Sequence, residues 1–180
     1  MCYNNKKGGI GMDFNFHEMV EEFFNEYEFE FRYDEEEDVY LTGVNFDDVG
    51  NVTFLIMNGG SKVNIIGEFD YVLDNDMVYY RASDFVHRFN AMDCVATLFI
   101  DPDTRTVYSK RNVQMLNVVD PDFFFSKDFF RLNLEMDMFG KAFHGVFSGV
   151  LSDVDGIALV DAAIEQYNNE MYEESENFMN

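Results

Sequence analysis

Phe125, Phe129, Leu132, Met136, Phe139, Phe143, Val146 and Val150 recur at alternating spacings of four and three. That spacing draws one apolar stripe along an α-helix about seven turns long, expected over 126–151. Phe130, Phe147 and Leu151 widen the stripe, while Asp128, Arg131, Glu135, Asp137, Lys141 and His144 supply a solvated side. Ser126 stands where an N-cap belongs, and Asp128 where the positive end of the helix dipole favours a carboxylate. A stripe so wide and so aromatic needs a cover. The cover is a sheet of the same chain, a second copy of the helix, or another protein.

The preceding residues supply a sheet. Phe16, Val20, Phe23 and Tyr27 predict a helix over 13–27, with Asn15 and Glu18 at the spacing of a capping box. The period then drops to two: Phe29, Phe31 and Tyr33 alternate with charged residues and predict a half-buried strand over 28–33. Further strands are expected over 39–46, 52–57 and 62–73, the last bent near Gly67. They are joined by a turn at 47–51 and by the hairpin signal Asn58-Gly59-Gly60-Ser61. A short helix over 83–92, capped by Ser83, presents Phe85, Phe89 and Met92. Strands over 95–100 and 106–113 flank the turn Asp101-Pro102-Asp103-Thr104. After the long helix, Ile157, Val160, Ala163, Ile164 and Tyr167 predict a last helix that dissolves into an acidic tail at Glu170, Glu173, Glu174 and Glu176. The expected class is α+β: an antiparallel sheet flanked by an N-terminal helix, a central short helix and a long C-terminal amphipathic helix. The expected division is a disordered tail over 1–12, a domain over 13–151, and an appended helix with its acidic tail over 152–180.

Charge narrows the partners. Thirty-five acidic residues against 12 basic ones leave a formal net charge of −23. Phosphate backbones and anionic membrane surfaces demand Lys and Arg, so nucleic acid and membrane are not expected as partners. A basic partner is favoured, and solubility alone is the ordinary alternative. Cys2 and Cys94 make no disulfide framework, which implies reduced thiols and a cytoplasmic location. The N-terminus does not read as a signal peptide, and no apolar stretch reaches the length of a membrane span.

Catalytic patterns are not found. His17, His87 and His144 fall on three separate predicted helices, without a Cys or second His at ligand spacing. His17 and Glu21 form an i, i+4 pair of the kind that decorates solvated helix faces. Cys94 and His87 lack an orienting third group. Asp101, Asp103 and Arg105 lack the Gly and Glu of a calcium loop, and the glycine-rich stretches lack the Lys of a phosphate cradle. No catalytic residue, metal or cofactor is expected, and the chain reads as non-enzymatic.

The run Ala82-Ser83-Asp84-Phe85-Val86-His87-Arg88-Phe89-Asn90, followed by Val95-Ala96-Thr97-Leu98-Phe99-Ile100 and Thr106-Val107-Tyr108, resembles the YbjN-like proteins. These are bacterial domains whose fold is similar to that of the type III secretion chaperones. The likeness covers roughly 13–151 and rests on element order. Two features depart from it: a strand at 28–33 and the helix after Asp155. The resemblance implies a non-catalytic α+β domain that holds a protein or peptide partner, chaperone-like or regulatory, often as a homodimer.

Most of the aromatic stripe is expected to cover the sheet. A helix of ~39 Å outruns strands of ~20 Å, however. The overhang, with Phe139, Phe143, Val146 and Val150, is the expected partner surface. Beside it Ala142, Gly145 and Gly149 form a small-residue strip that allows close approach of another helix, or else the helix breaks near Gly140. Eight of the 12 basic residues lie between Arg81 and Lys141, which concentrates acidity elsewhere. Glu35, Glu36 and Glu37 are therefore a second candidate contact, for the alternative of an acidic inhibitor, immunity protein or DNA mimic that neutralises a basic partner.

Overall fold

The computed structural model describes residues 15–116 and 118–179, with side chains to Tyr172. The tail expected over 1–12, with Cys2, lies outside the described residues. Six strands form one antiparallel sheet: β1 (Phe31–Asp34), β2 (Val39–Phe46), β3 (Gly50–Asn58), β4 (Lys62–Val72), β5 (Thr97–Ile100) and β6 (Thr106–Gln114), in the order β1-β2-β3-β4-β6-β5. Among the described residues five helices complete the fold: α1 (Phe16–Glu26), α2 (Asp76–Phe89), α3 (Pro121–Met138), α4 (Gly140–Phe147) and α5 (Asp153–Met179). The chain is α+β, as the change of period implies.

The pleat sorts the strand side chains. Val52, Phe54 and Ile56 of β3 and Val63, Ile65 and Phe69 of β4 are all within 1% of complete burial on one face. That face receives the helices. Phe129 of α3 meets Phe54 at 5.4 Å, Phe143 of α4 meets Phe69 at 5.8 Å, and Phe24 of α1 meets Phe31 at 5.2 Å between ring centroids. Offset and edge-on aromatic pairs of this kind add to simple area burial. α2 packs above α4, with Phe89 and Phe143 5.4 Å apart.

The long C-terminal helix is two helices. Pro121 opens α3 one turn earlier than expected, and Asp120, not Ser126, caps it by accepting the Phe123 N–H at 3.0 Å. The break falls at Phe139, whose N–H turns back to the carbonyls of Asp137 and Glu135. Gly140 then sits where a Cβ would lie 3.0 Å from Cβ of Asp48 and 3.3 Å from Cγ2 of Val49, so the β2–β3 turn is what the chain bends around. Of the two alternatives for this region the helix break holds; what packs closely on Gly140 is a turn and not another helix. Asp128, expected on the wet side, is 8% exposed and bonds Arg111 of β6 at 3.0 Å.

Other boundaries move for local reasons. α2 begins at Asp76, where Asn75 accepts the N–H groups of Met77 and Val78; Ser83 instead donates to the Tyr79 carbonyl from mid-helix. β1 begins at Phe31 because Glu28, in the left-handed region at φ 56°, is spent on leaving α1. β5 begins at Thr97 because the N–H groups of Val95 and Ala96 are taken by Glu135 of α3. α5 does not dissolve at Glu170 but runs to Met179. Its first half belongs to the same core, with Val160 fully buried, so the division at 151/152 is a turn and not a packing boundary.

Candidate partner-binding face

The stripe expected to meet a partner is consumed inside the molecule. Phe143 and Val146 are fully buried and Phe139 is 3% exposed. They cannot contact a partner in this fold, because Phe69, Phe85 and Phe89 already occupy the faces of Phe139 and Phe143, and Gly156 of α5 lies against Val146. The small-residue strip is likewise used at home. A Cβ at Gly145 would collide with Leu151, and Gly149, at φ +80°, turns the chain out of α4. Val150 alone of the four lies open, 76% exposed after α4. Glu35, Glu36 and Glu37 form the exposed β1–β2 turn, where Asp34 Oδ1 accepts the N–H groups of Glu36 and Glu37. The structure does not bring Val150 and this turn into one site.

The overhang exists, but on α5. Ser152 accepts the Asp155 N–H at 3.1 Å and donates to its carboxylate at 2.7 Å, starting a 27-residue helix about 40 Å long. Ile157, Val160, Ile164, Tyr167 and Met171 follow at spacings of three, four, three and four. Val160 is buried and Ile157 and Ile164 pack against the core, whereas Tyr167 is 38% and Met171 50% exposed. Every described residue from Glu165 to Tyr172 is exposed. One continuous seam thus serves the core in its first half and faces outward in its second.

A cleft of about 350 Å³ opens where the seam leaves the body. Leu134 and Met138 of α3 form one wall, Ile164 and Tyr167 of α5 the other, and Cys94 and Glu135 the floor. Leu134 is 42% exposed and continues along α3 to Phe130, 39% exposed. Around this apolar trough the charge is one-sided. Residues 153–179 carry Asp153, Asp155, Asp161, Glu165, Glu170, Glu173, Glu174 and Glu176, with no Lys, Arg or His. Asp93 adds to the rim, and among the described residues Arg131 is the one cation lining the cleft.

The floor is chemically quiet. Burial pushes the Cys94 thiol up to about 11, helped by the carboxylates of Glu135 and Asp93, so it is not a thiolate nucleophile at neutral pH. Burial also raises Glu135, opposed by the N–H groups of Val95 and Ala96 that its oxygens accept at 2.6 and 2.8 Å. His17 lies on the far side of the molecule. Its Nδ1 is 3.1 Å from the Tyr40 hydroxyl, which donates to Glu21 at 2.7 Å, so the phenol bridges the i, i+4 pair. His144 Nδ1 meets the Tyr71 hydroxyl at 2.7 Å. Among the described residues, no three His, Cys, Asp or Glu side chains gather as a metal site, and no helix is long and apolar enough to cross a membrane.

Sequence reasoning missed the α3–α5 trough because it ended α5 at its glutamates. The signal was present: Met171 continues the seam of Ile157, Val160, Ile164 and Tyr167 into the acidic stretch. Comparison of the chain with protein-family models, with curated proteins and with solved structures returns no match.

Proposed function

We propose that this chain is a non-enzymatic binding module that holds a basic, amphipathic segment of a partner protein along the α3–α5 trough. The carrying observation is the seam of α5, which stays apolar at Tyr167 and Met171 after the body has ended, on a helix whose every charge is negative. A helix laid in such a groove buries its apolar face against Leu134, Ile164 and Tyr167, while its Lys and Arg meet the carboxylates of the rim. Acidity then steers the encounter and the trough sets the residence time. This reading keeps the chaperone-like or regulatory role that the YbjN resemblance implies, and transfers the contact from α4 to α5.

The test is fluorescence anisotropy with a labelled helical peptide of Leu and Lys, beside an isomer of the same charge whose sequence has no apolar face. The amphipathic peptide is expected to bind with a Kd on the order of 10 μM, weakening as salt rises. Tyr167→Ser with Met171→Ser is expected to weaken it by about tenfold. Equal binding of the isomer, or an unchanged Kd in the double variant, overturns the reading. Loss of binding on replacing Glu35, Glu36 and Glu37 with Gln would favour the acidic-inhibitor alternative.

A further inference from the structure

Among the described residues, no helix lies over the second face of the sheet. All five described helices pack on the side of Val52, Phe54 and Phe69, and the register puts an apolar patch, crossed between β4 and β6 by Lys110 and Glu68, on the other. Leu41 pairs with Leu55, Leu55 with Ile66, and Met57 stands next along β3. Tyr108 extends the patch on β6, with Phe99 of β5 stacked on it at 5.0 Å and 13°. Antiparallel sheets that face water alternate apolar inside with polar outside. A patch of six apolar or aromatic side chains across five strands does not follow that pattern.

We propose that this open sheet face docks against the same face of a second copy of the chain. Charge selects the occupant. At −23 overall, two copies repel over most of their surface. α1 carries four glutamates and no Lys or Arg, and α5 carries eight carboxylates and no cation. The open face is different: Arg32, Lys62 and Lys110 are interspersed with Asp34, Glu68 and Asp70. It is close to neutral and has both signs available to pair across a two-fold axis. A charge-selected foreign partner is drawn to the helices, whereas a like-charged copy meets the least repulsion here. Size agrees: 45 strand residues, each rising ~3.4 Å along strands spaced ~4.8 Å, span on the order of 700 Å², near the ~800 Å² per partner of a standard interface. The edge strands β1 and β5 have four residues each, which favours face-to-face stacking over edge-to-edge addition.

Sedimentation equilibrium of the full chain decides it. The expected species is twice the 21.0 kDa chain. Its dissociation constant should fall as salt rises, because salt screens two like-charged bodies; peptide binding at the trough responds to salt in the opposite direction. Leu55→Lys with Ile66→Lys is expected to weaken the dimer by about 100-fold with an unchanged circular dichroism spectrum, since both side chains point away from the core. Leu55→Thr with Ile66→Thr, which keeps strand propensity, should weaken it by about tenfold and guards against misfolding of the first variant. A monomer throughout, a dimer indifferent to both sheet variants, or a dimer lost in Tyr167→Ser with Met171→Ser overturns the proposal.

Discussion

The Glu135 carboxylate reaches from α3 to the chain entering β5, where its two oxygens replace the carbonyls of a missing strand. Asn90 does the same from the end of α2, donating to the Leu98 carbonyl at 2.7 Å and accepting the Leu98 N–H at 2.8 Å. Glu135 thus satisfies the two residues leading into a four-residue edge strand, and Asn90 one residue within it, on the side away from β6. Glu135→Gln keeps one acceptor and turns an amide donor toward the other N–H, so stability should fall by about 1–2 kcal/mol in urea unfolding. The pH dependence has a definite sign. Burial raises the folded pKa of Glu135 above its unfolded value, so its own titration favours the native state below the unfolded pKa. That contribution is lost as pH rises through the raised value. The gap between wild type and Glu135→Gln should therefore be widest on the acid side of that value and narrow above it. Neither role was legible in the sequence, where Glu135 counted as one of several solvated helix positions. A carboxylate facing two orphan amides is defined only once α3 lies beside residues 95 and 96.

Helix existence was easier to read than helix extent. α1 falls where Phe16, Val20 and Phe23 put it, and β2 has the bounds expected from its pattern. The 125–150 stripe, by contrast, is continuous in sequence and broken in space. Its spacing is indifferent to a kink, and the obstacle that bends it, the turn at Asp48 and Val49, comes from distant chain. The turn out of α4 is more rigidly defined. Gly149 has φ +80°, and a Cβ there would stand 2.6 Å from Cγ2 of Val78. Gly149→Ala should cost about 2 kcal/mol by thermal unfolding, from left-handed strain and displacement of Val78. Adding Val78→Ala should remove the second part and leave the first, which a double-mutant cycle separates. At the same scale α5 corrects the expectation that a glutamate-rich C-terminus must unwind. Glutamate is a good helix former, and the apolar seam beneath supplies the anchorage.

For the molecule as a whole, the excess of carboxylates acts on folding as well as on partners. The described ion pairs number four and use Arg88, Arg105, Arg111 and His17. Most carboxylates therefore have no cation to answer them, and the native state holds this charge close together. Raising NaCl from about 10 mM to about 500 mM should screen that repulsion and raise Tm by about 5 °C in a calorimetric scan. A flat or falling Tm would mean that the unfolded chain feels the same repulsion. Composition, period and turn chemistry by themselves determined that this chain would bury phenylalanine-rich helices on an antiparallel sheet and would carry a strongly negative surface, because these depend on residue type and local spacing. Tertiary structure alone decided which apolar residues remain for others. Phe139, Phe143 and Val146 vanish into the core while Tyr167, Met171 and one face of the sheet stay open, since exposure is set by what distant segments cover.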